Sequence, residues 1–226
     1  MRLLAKWLAI NSSMYHILLI FLALVACISI HTGGLALAGH LLGGKVEIVS
    51  LFLGPSLFGV KIGGTEFRLS ALPMGGYVKY AEGFTDLHPL KRLAIAASGC
   101  LALLLVALVL LGLGGGWESF TNGFAQFVSG TLAPTTRGAQ LLRALYGFAQ
   151  SQPWTALLGL CAAKMAAYNL LPLPMLNGGE IILAFVEWLV PASRGMREKI
   201  SLVGLCLMMV IMAVWAMALF YAVTSS

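Results

Sequence analysis

The sequence predicts a mainly α-helical membrane protein of about four transmembrane helices, the third of them broken, with a small β element lying against the membrane. Three observations carry that prediction. Apolar residues fill 60% of the 226 positions and charged residues only 10%, against about 25% charged in a soluble domain. Apolar runs long enough to cross a hydrocarbon core recur along the chain. Between the first two lies a more polar segment in which polar and apolar residues alternate with period two.

The elements follow in order. Residues 1–14 carry Arg2 and Lys6 and lead into a span over about 15–42. That run is too long for a signal-peptide core and has no convincing cleavage site, so it is expected to be retained. Gly33-Gly34 and Ala38-Gly39 suit close helix contact. In the polar segment, Lys45-Val46-Glu47-Ile48 and Thr65-Glu66-Phe67-Arg68-Leu69-Ser70 alternate. Gly54-Pro55 and Gly63-Gly64 offer turns, and Pro73, Gly75 and Gly76 are expected to end the second arm, giving a β element over about 45–80. The second span covers about 93–113. Residues 114–152, with Trp117, Phe120, Phe124 and Phe127, read as an interfacial or half-buried connection. The third span, about 154–190, is interrupted at 172–174, and the fourth covers about 200–223 beyond a short basic loop from Pro191 to Lys199. The whole chain, 1–226, reads as one membrane domain without internal repeats.

Composition also excludes function classes. The net charge of +6 has no basic cluster interleaved with aromatics, so membrane lipid and not nucleic acid is the expected partner. Cys27, Cys100, Cys161 and Cys206 fall in different apolar runs with no C-x-x-C pair, and read as small packing residues. Lys45, Lys61, Arg68, Lys79, Lys91, Arg92, Arg194, Arg197 and Lys199 fall on one side of the membrane, while Arg2, Lys6, Arg137 and Arg143 fall on the other. Positive charge accumulates on the cytoplasmic side, so both termini are expected outside the cytoplasm.

The chain is organised around Asn169-Leu170-Leu171-Pro172-Leu173-Pro174-Met175-Leu176-Asn177-Gly178-Gly179. Freed backbone groups have no water to bond in hydrocarbon, so a broken helix persists there only when buried in protein or facing a cavity. The alternative is a plain proline kink between helices. Two charges flank the segment, Lys164 and Glu180. Each either pairs or snorkels at a helix end, or, for Lys164, points into a shared interior.

The chain resembles the site-2 proteases, intramembrane zinc metalloproteases of the M50 type. Three parts carry the resemblance in the right order. The run Gly43-Gly44-Lys45-Val46-Glu47 through Leu53-Gly54-Pro55 to Gly64–Lys79 is similar to that family's membrane-associated β element. His88-Pro89 to Gly99 is similar to the entry of its next helix, and Asn169 to Gly179 to its third-span N-L-L-P-x-P-x-L-D-G-G motif. The PDZ module usual between the second and third spans is absent here. The resemblance implies an HExxH pair on the first span, whose histidines share a helix face and bind zinc, with the glutamate as general base and the third-span aspartate completing the ligands. An ungapped alignment puts His31, Thr32, Gly33, Gly34 and Leu35 on HExxH, so that Thr32 replaces the base and Leu35 the second histidine. Asn177 replaces the aspartate, and Cys100 and Leu103 stand where proline and asparagine are usual.

No other residue in the sequence restores that set. His40 is nine residues from His31, about 900° around a helix and therefore on the opposite side. The only aspartate, Asp86, lies in the polar segment. One histidine and one amide make a poor zinc site, and Thr32 has no general-base character near neutral pH. The expected function is therefore a pseudoprotease with no cofactor, which binds a transmembrane or extended segment of a partner as a regulatory or structural subunit. Asn169, Pro172, Pro174, Gly75, Gly76 and Tyr77 are the expected partner-binding residues, and a bacterial inner (cytoplasmic) membrane is the implied location. Two alternatives stay open: an active zinc protease with non-standard ligands or ligands from another chain, and a transporter or channel subunit.

Overall fold

The computed structural model describes residues 2–190 and 197–225, without the side chains of residues 2–11, Met74 and residues 197–198. Helix α1 (Arg2–Leu42) leads through a glycine turn into strands β1 (Val46–Ile62) and β2 (Thr65–Tyr80). A 3-10 turn (Phe84–Asp86) precedes α2 (Pro89–Leu132), and a π turn (Pro134–Gly138) precedes α3 (Ala139–Ser151). Helices α4 (Trp154–Asn169), α5 (Asn177–Leu189) and α6 (Arg197–Thr224) complete the chain. Among the described residues three helical stretches are long and apolar enough to cross a membrane, Ser12–Leu42, Pro89–Leu132 and Lys199–Thr224. The broken third span is the pair α4 and α5, each too short to cross alone, with the break where Pro172 and Pro174 stand. The basic loop expected from Pro191 lies outside the described residues as far as residue 196.

The second span bends at Gly112, close to its expected end, and residues 114–152 are not a loose connection. Helix α2 runs on to Leu132, with a corner at Gly112, whose φ of 75° an L side chain rarely adopts. The two arms of α2 then pack together. A Cβ on Gly116 would lie 2.8 Å from the carbonyl oxygen of Ala107, so glycine permits that approach. Three aromatics of this arm face protein: Phe120 is buried in the core and meets Phe124 edge-on, and Phe127 stacks on Trp215 of α6, while Trp117 is exposed. Helix α3 follows, and Arg143 donates to the carbonyls of Tyr221 and Ala222 at the end of α6, where a cation also suits the helix dipole.

One core joins α1, α2 and α4, where Ala23, Cys27, Leu103, Ala107, Leu157, Cys161, Ala162, Ala163, Ala166 and Ala167 are buried. Small side chains on α4 let backbones approach, which is how helices gain contact in lipid. Cys27, Cys100 and Cys161 are buried free thiols packed in this way, and Cys206 is exposed.

The β element forms as expected but its glycines act differently. Gly63-Gly64 is the hairpin turn, both with positive φ. Gly54-Pro55 and Gly75-Gly76 bend the strands without ending them, with positive φ at Phe52, Gly54 and Gly75. The antiparallel strands thus fold over themselves, and Ile48–Leu51 finds partners on both edges: Val49 opposes Val78 and Phe67, Ser50 opposes Tyr77 and Arg68. The Ser50 and Ser70 hydroxyls, both buried, bond each other at 3.0 Å. Beyond Leu53 the first strand is exposed and still apolar, with Leu57, Phe58, Val60 and Ile62 uncovered, as a hairpin lying against lipid requires.

Near that tip Arg68 grips Glu66 with two hydrogen bonds, Nε to Oε1 at 2.6 Å and Nη2 to Oε2 at 2.8 Å. This contact holds the Glu66 carboxyl below its ordinary range. A depressed carboxylate adds stability that is complete above its unfolded value and lost as pH falls through its folded value. Acidification below the ordinary glutamate range is therefore expected to lower hydrogen-exchange protection in the 59–68 hairpin, measured relative to the intrinsic exchange rate at each pH. Glu66→Gln should have the lower protection already at neutral pH and should show no such acid response.

Candidate functional site

Helix α1 presents His31 and Leu35 to a cavity of about 1440 Å³ that is closed by β2, the first turns of α2, the α4–α5 break and α6. Asn169, Asn177 and Glu180 line the same cavity, as do Gly75, Gly76 and Tyr77 of β2. The positions that the resemblance assigns to zinc ligands, His31, Leu35 and Asn177, thus meet in one space. Thr32, the position of the general base, does not line it. Its side chain is 1% exposed and its hydroxyl donates to the Ile28 carbonyl of its own helix at 2.8 Å. Its methyl faces Gly76, where a Cβ would come within 2.8 Å.

The geometry around His31 depends on close backbone approach. Gly34 of α1 packs on Gly99 of α2, and the His31 ring lies over Gly99 so closely that a Cβ there would fall 2.6 Å from Nδ1. His31 is buried and its Nδ1 has no hydrogen-bond partner among the described residues. Asn177 is a polar neighbour of that ring.

The α4–α5 break is tightly built. Asn169 turns back to donate to the Met165 carbonyl, and Met175 takes a positive φ of 73°. Gly178 and Gly179 then start α5 directly against the carbonyls of Leu170, Leu171 and Leu173, with no room for a Cβ. Asn177 donates from Nδ2 to the Ala96 carbonyl of α2 at 2.7 Å, which fixes its side chain at the cavity wall. Pro172 and Pro174 lie away from the main cavity, on a small recess with Leu183 and Ile200, and Pro174 packs on Gly204 of α6. They shape the break and do not line the space that holds the other expected partner-binding residues.

Lys164 also lies elsewhere. Its ammonium donates to the Ser119 carbonyl of α2 at 2.7 Å, and its stem packs by Gly123, so it does not point into the cavity of His31. Glu180 does line that cavity.

Two features were not read from the sequence. Tyr80, at the end of β2, donates to the Leu35 carbonyl at 3.0 Å and stacks on Phe84. This clasps the β element to α1 beside the site, and burial pushes the phenol above its ordinary range. The other is an ion pair between Arg92 of α2 and Glu187 of α5, 2.6 Å long with both side chains 2% exposed. An arginine next to Lys91 reads as one more interfacial cation, and nothing local marks its partner in the next span.

The sequence model of peptidase family M50 matches residues 19–211. This chain belongs to peptidase family M50. Among curated M50-like relatives, a Neisseria meningitidis protein named "Putative zinc metalloprotease" is 35% identical over 141 residues, 55% of this chain and 30% of its own length. A Chlamydia trachomatis protein of the same description is 35% identical over 132 residues, 47% of this chain and 21% of its own. A third, from Campylobacter jejuni, is 47% identical over 73 residues, 30% of this chain and 20% of its own. The matches thus span between a fifth and a third of these relatives.

Zinc is the metal that an M50 fold implies, and the residues present do not fit it. Structural and catalytic zinc sites need three or more imidazole, thiolate or carboxylate ligands. Among the described residues no three His, Cys, Asp or Glu side chains gather to provide them. His31 offers one nitrogen, Leu35 offers nothing, and Asn177 offers a neutral amide.

Proposed function

We propose that this M50 member is a pseudoprotease that binds a transmembrane or extended segment of a partner membrane protein and serves as a regulatory or structural subunit of a membrane complex. The observation that carries the reading is the cavity itself. It keeps the three ligand positions facing one space, with leucine and asparagine in two of them, and the position of the base is packed away against Gly76. The reaction centre that the family implies is replaced by a binding space.

The lining suits a peptide guest. Met165, Met175, Met208, Met209 and Met212 line one side, and flexible thioether side chains adapt to varied apolar surfaces. Across from them runs the Gly75–Tyr80 arm, whose strand edge can receive an extended segment by backbone pairing. The proposed setting is a bacterial inner membrane with both termini outside the cytoplasm. His31 lines that cavity beside Asn177, which favours one second reading, in which another chain supplies the missing zinc ligands.

Metal analysis of the purified protein, with His31→Ala as control, separates the two. The expected result is zinc far below one per chain and equal in both proteins. Stoichiometric zinc that disappears in the His31→Ala protein would overturn the pseudoprotease reading.

A further inference from the structure

The guanidinium of Arg92 is only partly used. Its Nη1 meets Glu187 at 2.6 Å and the Thr85 carbonyl at 3.5 Å. Its Nε and Nη2 are buried and have no hydrogen-bond partner among the described residues. A buried donor without a partner is costly, so two on one side chain mark a place made for an acceptor. Arg92 lines the His31 cavity. The open pair is the fork edge of the guanidinium, whose parallel N–H groups match the two oxygens of a carboxylate. Arg68 shows the filled form in this same chain, where Nε and Nη2 hold both oxygens of Glu66.

We propose that Arg92 is a specificity residue of the cavity, and that its open Nε–Nη2 edge takes the carboxylate of an aspartate or glutamate flanking the apolar stretch of the bound segment. This rests on the reading of the cavity as a peptide-binding space and adds what the peptide must carry. The surroundings tolerate a second carboxylate beside Glu187. Arg92 stands in the first turn of α2, where the helix dipole favours an anion, and the Lys45 side chain lines the same cavity. Two acidic side chains of the wall, Glu47 and Glu180, are set against it, and Glu47 is paired with Lys79 at 3.1 Å.

The test uses the purified chain in nanodiscs of uncharged lipid and synthetic single-span Leu/Ala peptides. Glutamate or glutamine is placed in turn at each of several positions beyond both ends of the apolar stretch. At one position the glutamate peptide is expected to bind on the order of tenfold more tightly than its glutamine twin, the worth of a charge-assisted fork. Arg92→Lys keeps a cation for Glu187 but loses the fork, and should bring that ratio close to one, with the loss falling on the glutamate peptide. Should Arg92→Lys fold poorly, the paired variant Arg92→Met with Glu187→Met gives the same readout without a buried charge. Equal binding of all peptides by the unaltered protein sinks the role of Arg92 and spares the cavity reading. Absence of any peptide binding sinks both. A glutamate preference that survives in Arg92→Lys, or an Arg92-dependent uptake of phosphatidylglycerol in place of the peptide, would also overturn the assignment.

Discussion

Leu35→His combined with Asn177→Asp is expected to bind zinc, about one per chain, because it sets a second imidazole and a carboxylate beside His31 in one cavity. The three positions share that space, and α1 carries 31 and 35 on one face, as ligands four apart on a helix must be. Hydrolysis is not expected to return with the metal. The general base would have to come from position 32, and that side chain is turned away into packing. Thr32→Glu would press a longer, charged side chain against Gly76 and Ile28 where a methyl already fills the gap. Overpacking of this kind costs about 1–3 kcal/mol, and burial of an unpaired carboxylate adds to it. The triple variant should therefore bind zinc, melt at a lower temperature than the double, and leave a transmembrane peptide uncut. Zinc analysis, thermal denaturation and a peptide-cleavage assay check the three parts. A double variant without zinc would show that the ligand positions do not converge. Cleavage by the triple would show that the Thr32 packing yields easily.

Much of the architecture was legible because its signals are local. Apolar run length marks spans, period-two alternation marks the β element, and Pro172 and Pro174 mark the broken helix to within a few residues. The errors arose where one local signal serves two purposes. Residues 114–152 read as an interfacial connection, yet beyond the corner at Gly112 the chain is helical again, and Gly116 is what lets that second arm pack on Ala107. Gly75-Gly76 reads as the end of a strand, yet Gly76 is what lets the strand pass over Thr32. The convergence of His31, Leu35 and Asn177 followed from the motif alignment. The direction of Lys164 and the pairing of Arg92 with Glu187 did not, because each depends on which face of a helix meets which neighbour.

Glu187→Ala is expected to be the most destabilising single change among the contacts described, costing about 3–5 kcal/mol, since it strands a buried guanidinium. Arg92 is 2% exposed and would keep only the long contact to the Thr85 carbonyl. Removal of both charges is a different matter. Arg92→Met with Glu187→Met fills similar volume without ions, and replacements of this sort are often neutral or favourable. Equilibrium unfolding in mixed micelles of the two variants and the parent measures the difference. A double variant as damaged as the single would mean that the pair contributes attraction beyond its desolvation cost. The pair also bears on the site. Asn177 at the start of α5 bonds to Ala96, and Glu187 near its end bonds to Arg92, so α5 is fastened to α2 at both ends. Loss of the far fastening should loosen the near one. Glu187→Ala is thus expected to raise hydrogen exchange at residues 176–180 before global unfolding, whereas the double variant, with its apolar contact intact, should hold that segment closed.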